Sequence, residues 1–316
     1  MFKQLIGKSP NFEALLRSAR MVAATDATVL IIGETGTGKE VLASALKQYS
    51  RRSDQPLVTI NCAALPESLA ESELFGHRKG SFTGASDHKI GRLQAAHNGT
   101  VFLDEIDSLP VPIQAKFLRF LETGEIQPVG ETKSHIVDVR LIAATNANLQ
   151  ERIESGDFRR DLYYRLNVVP LEIPPLRDRS DDIPALLQLF IQRFSQSHSI
   201  VPPRLSKAAL QRLLHYGWPG NVRELRNVCE RLCILMAGQE VQDFNLPVEI
   251  ISGVQANTTD FSLPEGGIQL EGVEADLIRQ ALQRAGGNRS KAARLLGITR
   301  DTLLYRIQKY GLDEVS

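Results

Sequence analysis

The stretch that most constrains this chain is TVLIIGETGTGKE, residues 28–40. A β-branched apolar run reads as a strand, glycines follow at Gly33, Gly36 and Gly38, and a helical pattern opens at Lys39. A strand, a tight loop and a helix in that order build a β-α unit. The glycines let the backbone curl until its N–H groups converge. Lys39 adds a cation, and the helix start adds the positive end of its dipole. The spacing G-x4-G-K therefore reads as a cradle for nucleotide phosphates, formed by Gly33, Glu34, Thr35, Gly36, Thr37, Gly38, Lys39 and Glu40. Glu40 stands where a Ser or Thr commonly follows the lysine, so no hydroxyl at that position can serve Mg²⁺.

The same alternation continues to about residue 172, with further strand-like runs at 57–62, 100–106, 139–146 and 168–173. This pattern predicts a parallel sheet in an α/β fold. The run TVFLDEI ends in two carboxylates. Asp104 is placed to hold Mg²⁺, directly or through water, and Glu105 to orient and deprotonate an attacking water. The bland reading has both capping the next helix. Thr145 and Asn146 end a further strand, where they could sense a γ-phosphate or simply make a turn.

Beyond the sheet the pattern becomes helical. IPALLQLFIQRF places Ile183, Leu186, Leu187, Phe190, Ile191 and Phe194 on one face, with SDD as its N-cap. A helical pair surrounds HYGWPGNVREL, and residues 238–268 read as a linker. The tail predicts a helix ending at Gly286–Gly287, a short RSKAARLL helix and a third helix capped by Thr299. Leu303, Leu304 and Ile307 then face inward, leaving Thr302, Tyr305, Arg306 and Lys309 outside. Between Arg284 and Tyr310 stand seven Lys/Arg and one acidic residue, Asp301, in a chain whose net charge is zero. A local basic stripe on a helix-turn-helix pattern points to double-stranded DNA. Cys62, Cys229 and Cys233 provide no disulfide framework and no zinc set, so they read as buried thiols. The sequence has no signal-peptide core and no run long enough to span a bilayer, which reads as cytoplasmic.

One loop is unusual. FGHRKGSFTGASDHKIG sets Phe82 and Thr83 between Gly80 and Gly84, an aromatic at the tip of a hydrophilic turn. Taken alone, such a ring is expected to fold inward.

Together GETGTGKE, ELFGH, GSFTGA, FLDEI, FRRDLYYRL and WPGNVREL resemble the AAA+ domain of the sigma-54-dependent transcription activators, over roughly residues 5–240. The tail resembles their Fis-type DNA-binding domain. The resemblance implies an AAA+ P-loop subdomain (1–173), a helical lid (174–237), the linker (238–268) and a Fis-type helix-turn-helix domain (269–316). Glu40 is typical of that family. By the same resemblance Asn61 is a switch residue that restrains Glu105, and Arg159 and Arg165 are arginine fingers inserted by a neighbouring subunit. Arg223 is the lid's sensor arginine, and Ile6 and Gly7 lie near the adenine.

Phe82, Thr83 and Gly84 are implied to contact sigma-54, with QPVGETKSHIVDV as a supporting second loop. Ser81 replaces the family's alanine, a small-for-small change. Arg300, Thr302, Tyr305, Arg306 and Lys309 are the candidate DNA contacts. The implied activity is ATP hydrolysis, with ATP and Mg²⁺, in a homo-oligomer from dimer to hexamer that remodels sigma-54 RNA polymerase holoenzyme. No receiver domain precedes the nucleotide site, which implies control through a domain removed from the chain or a separate regulatory protein. Two rival readings are a DNA-binding regulator acting independently of sigma-54 and a AAA+ chaperone or replication ATPase.

Overall fold

The computed structural model describes residues 5–82, 85–251, 270–286, 288–296 and 298–311. It comprises two compact units, Met1–Gln255 and Ala256–Ser316.

All five apolar runs of the first unit become strands: β1 (Val29–Ile32), β2 (Leu57–Asn61), β3 (Thr100–Asp104), β4 (Arg140–Thr145) and β5 (Val169–Glu172). They pair in parallel in the order β2-β3-β4-β1-β5. Side chains alternate between the two faces. Val29, Ile31, Phe102, Ile142 and Ala144 pack with α1 (Pro10–Ala23) and α2 (Lys39–Gln48). Leu30, Val101, Leu103, Leu141 and Ala143 pack with α3 (Val111–Thr123) and α4 (Arg160–Leu166). Burial on both faces is why the inner strands β1, β3 and β4 read as continuous apolar runs. Each buried Leu, Ile or Phe contributes about 1.5–3 kcal/mol.

Helices α5 (Ile183–Ser197), α6 (Lys207–His215) and α7 (Asn221–Leu235) form a second core around Leu186, Phe190, Trp218, Leu225 and Cys229. One sequence expectation is corrected here. The stretch expected as linker from 238 onward is packed structure as far as Ile251. Glu240–Val241 pairs with Arg204–Leu205, and Val241, Leu246 and Ile250 are buried in the helical core. These anchors sit in a two-residue strand, just after a three-residue 3-10 turn and in a four-residue helix, all too short to show a period. Residues 252–269 lie outside the described residues.

A second correction concerns SDD. Asp182 occupies the N-cap position of α5 but makes no capping bond. Its carboxylate, 1% exposed, instead accepts the Lys8 N–H at 2.5 Å, the Ser9 N–H at 2.9 Å and the Ser9 hydroxyl at 3.0 Å. Arg179, 3% exposed, stacks 4.6 Å above the Phe12 ring and donates to the Thr37 carbonyl at 3.3 Å. Burial pushes its guanidinium down to about 10, and Asp182 opposes that shift. The chain start, the phosphate loop and the lid are thus joined through buried polar contacts. The three cysteines are buried free thiols, as expected, and burial followed by Asp104 pushes Cys62 up to about 12.

The second unit contains α8 (Leu270–Arg284), α9 (Arg289–Leu295) and α10 (Arg300–Lys309), packed around Ile278, Leu282, Ala292, Leu303 and Ile307. Asn288 caps α9 and Thr299 caps α10 through side-chain oxygens that accept the Lys291 and Thr302 N–H groups. No described helix is long and apolar enough to cross a membrane.

Asp182→Ala is expected to lower stability by about 3 kcal/mol, because the buried Ser9 N–H and hydroxyl and the part-buried Lys8 N–H lose their acceptor and Arg179 loses its nearby carboxylate. Urea unfolding checks this; a change within experimental error would show the cluster is not structural.

Candidate functional site

The loop after β1 lies at the carboxyl edge of the sheet, between the ends of β4 and β5. Gly36 and Gly38 adopt φ of 82° and 104°, a region costly for residues with a Cβ. A Cβ on Gly36 would also come within 2.3 Å of the Gly220 carbonyl oxygen, so loop and lid meet at backbone distance. The Lys39 ammonium donates to the Gly33 and Glu34 carbonyls at 2.7 and 3.2 Å. Burial lowers its pKa, whereas Asp104 and Glu105 raise it and Arg223 lowers it. Those four charged groups, carried by the loop, the end of β3 and the lid, therefore share one neighbourhood.

Glu105 takes a left-handed φ of 54°, and its N–H donates to the Asp104 carboxylate at 3.1 Å. Asn146 reaches the loop, donating from Nδ2 to the Thr35 hydroxyl at 3.1 Å. Thr145 does not: its hydroxyl, fully buried, donates to Asp107 at 2.5 Å and accepts the Ala147 N–H. Arg223 sits on the first turn of α7, and its N–H donates to the Gly36 carbonyl at 3.2 Å. Gly7 approaches Phe12 and Asp182 too closely to admit a Cβ, and Ile6 packs on the helical core.

Asn61 ends β2 in register with Asp104. Its Oδ1 accepts the Ala64 N–H at 3.0 Å, and no hydrogen bond joins it to Glu105 among the described residues. Arg159 makes a two-pronged contact with Asp161 at 2.6 and 3.0 Å, and Arg165 faces Glu122 at 3.6 Å. Arg165 is exposed and Arg159 half-buried, and among the described residues neither bonds to the phosphate loop of its own chain. Asp104 and Glu105 offer hard oxygen donors beside that loop. No group of three His, Cys, Asp or Glu that could enclose an ion occurs among the described residues. This donor set fits Mg²⁺, which takes one or two carboxylates and completes its shell with phosphate and water.

Phe82 is half-buried, its ring edge-on to His77 at 5.0 Å. His77 is itself held by Ser72, with Oγ and Nδ1 at 2.6 Å. The Arg78 N–H donates to the Val129 carbonyl and the Val129 N–H to the Gly76 carbonyl, while Arg78 pairs with Glu131 at 2.5 Å. The second loop therefore braces the root of the first. Ser81 has a buried hydroxyl without a partner, against Gly130 of the second loop. Thr83 and Gly84 lie outside the described residues.

In the second unit Arg300 and Tyr305 are exposed, Tyr305 by 68%. Thr302 is half-buried with its hydroxyl 2.7 Å from that of Thr299. Arg306 pairs with Glu274 of α8 at 2.5 Å, and Lys309 donates to the Tyr310 hydroxyl at 3.3 Å. Sequence reasoning did not single out Asn221, Arg177 or Arg179, and it took Asp182 only as part of a helix cap. Their partners lie more than a hundred residues away or in another element, and nothing in the local pattern marks them.

Three family models match the chain: the sigma-54 interaction domain over residues 5–172, the AAA+ ATPase lid domain over 177–262, and the bacterial regulatory protein, Fis family, over 269–310. The transcriptional regulatory protein ZraR of Salmonella typhimurium is 49% identical, over 96% of this chain and 68% of the relative. The C4-dicarboxylate transport transcriptional regulatory protein DctD of Rhizobium meliloti is 45% identical, over 98% and 65%. NtrX from Brucella abortus, solved in complex with ADP, superposes with a TM-score of 0.73 at 34% identity, over 98% of this chain and 69% of that one. With a phosphate loop facing paired carboxylates, a lid and a Fis-type tail, the chain belongs to the sigma-54-dependent transcription activators.

Proposed function

We propose that the chain binds upstream DNA, assembles into a ring of up to six subunits, and uses ATP hydrolysis to convert closed sigma-54 polymerase complexes into open ones. The observation that carries this reading is the convergence of Lys39, Asp104, Glu105 and Arg223 on a glycine loop. Backbone N–H groups of residues 33–38 and the Lys39 ammonium bind the phosphates. Asp104 would hold Mg²⁺, whose charge offsets that of the phosphates. Glu105 orients a water in line with the γ-phosphate and accepts its proton. Asn146 holds Thr35 and so the loop backbone beneath the phosphates.

Arg159 and Arg165 stand on the surface, where a neighbouring subunit's site is within their reach. An arginine delivered there stabilises charge developing in the transition state, typically by about a thousandfold or more in rate. Asn61, capped on Ala64, would exchange that bond for Glu105 when the site is engaged. Release of Phe82 from His77 would then present it, with Thr83 and Gly84, to sigma-54. A covered aromatic is a common interface anchor. Arg300 and Tyr305 are the freest of the DNA-facing candidates, whereas Arg306 must first leave Glu274.

Glu105→Ala is expected to abolish ATP hydrolysis and open-complex formation with purified sigma-54 polymerase; output equal to wild type would refute the mechanism. Thr83→Ala should keep the ATPase and lose open complexes, and unchanged regulation would instead favour a sigma-54-independent regulator. Glu105→Ala and Arg165→Ala subunits, each inactive alone, should recover part of the ATPase activity when mixed. Mixed rings hold interfaces with an intact glutamate on one side and an intact arginine on the other. No recovery would place Arg165 outside the site.

A further inference from the structure

Asn221, the first residue of α7, combines three unusual properties. It is fully buried, it holds a left-handed φ of 52°, and every polar group of its side chain is used. Its Nδ2 donates to the Glu34 carboxylate at 3.0 Å and to the Thr35 carbonyl at 3.1 Å, while its Oδ1 accepts the Leu176 N–H at 2.8 Å. One amide thus ties the phosphate loop, the segment that follows β5 and the first turn of α7. Glycine would take this backbone conformation more easily, and Gly220 stands immediately before it. The side chain at 221 is therefore explained by its bonds and not by its φ.

The surroundings fix Asn221 from each direction. Arg177 grips the same Glu34 carboxylate with two donors at 2.6 and 2.9 Å. The Arg223 N–H takes the next carbonyl of the loop, that of Gly36. On the lid side Glu224 accepts the Gly220 N–H at 2.8 Å and the Tyr216 hydroxyl at 3.0 Å, which pins the turn carrying Asn221. The Arg177 bond, followed by that from Asn221, holds the Glu34 carboxyl below its ordinary pKa against the effect of burial, so it is ionised at neutral pH. A loop whose Thr35 and Gly36 carbonyls are drawn toward the lid must turn its amides the other way.

We infer that Asn221 is a positioning residue for nucleotide binding: its amide, with Glu34 as acceptor, orients the backbone of Thr35–Gly36 and makes lid position and phosphate-loop shape one variable. This rests on the ATP-binding reading above. Asn221 touches no phosphate itself. It acts by holding two carbonyls of the loop in place, so a lid displaced by nucleotide would pull on the loop through it, and a loop filled by phosphate would hold the lid.

The test uses the full chain, with ATP and ADP titrated by calorimetry and the steady-state ATPase followed in parallel. Asn221→Asp keeps the shape but sets a carboxylate against Glu34 and the Thr35 carbonyl. It should weaken ATP and ADP binding about ten- to a hundredfold and raise KM more than it lowers kcat. Adding Glu34→Gln should recover most of the lost affinity, since its amide can donate to the new carboxylate; a merely structural defect would not be rescued. Asn221→Gly, which suits the backbone, covers the case in which the aspartate variant fails to fold, and should show the same KM increase. Lys39→Ala separates the two claims. Its loss of binding supports the ATP reading, and full binding would overturn both. Wild-type affinity in folded Asn221→Asp, or a double variant no better than the single, would overturn the role of Asn221 alone.

Discussion

The sheet's carboxyl edge is where the physics of this chain is concentrated. The three inner strands of the parallel sheet, β1, β3 and β4, are buried on both faces and can expose polar ends only at the sheet's edges, and at this edge β1 and β3 deliver a glycine loop and two carboxylates. Everything that follows depends on keeping that loop curled. Two glycines make the curl accessible, but a flexible loop with exposed carbonyls does not hold one shape. The lid supplies the restraint: Asn221 and the Arg223 N–H bind the carbonyls of Thr35 and Gly36, and Gly220 leaves no room for the loop to shift toward it.

That arrangement has a cost distributed over several buried polar groups. Lys39, Arg179, Asp182 and Asn221 are all removed from much of the solvent, and the last three are held by partners from distant segments. Apolar packing would be easier to stabilise than such a network. What the network gives is geometric linkage: the chain start bonds to Asp182, the loop to Arg179, Arg177 and Asn221, and all of these belong to the lid or its approach. A subdomain joined this way can respond to the occupant of the loop without a long relay.

The loop bearing Phe82 follows a different logic. Its ring leans on His77 and its root is braced by Val129 and Glu131, so the aromatic is sheltered in the isolated subunit. The substitution at Ser81 is less bland than side-chain size suggests, because its hydroxyl is buried without a partner beside Gly130. An unmet hydroxyl weakens a docked conformation relative to an exposed one. In the tail the pairing of Arg306 with Glu274 similarly occupies a group that charge counting alone leaves outside.

By itself the sequence determined the parallel sheet, the phosphate loop, the carboxylate pair and the three helices of the tail. Each is written in a local signal: an apolar run, glycine spacing, a strand terminus, or caps such as Thr299. Tertiary structure decided what those groups touch. Asn146 meets Thr35 while its neighbour Thr145 turns to Asp107, Asp182 serves the chain start instead of its own helix, and Val241, Leu246 and Ile250 fold onto the lid where a linker was expected. Partners more than a hundred positions apart leave no periodicity to read. Hydrogen bonds and close packing choose among side chains only once the backbone has brought them together.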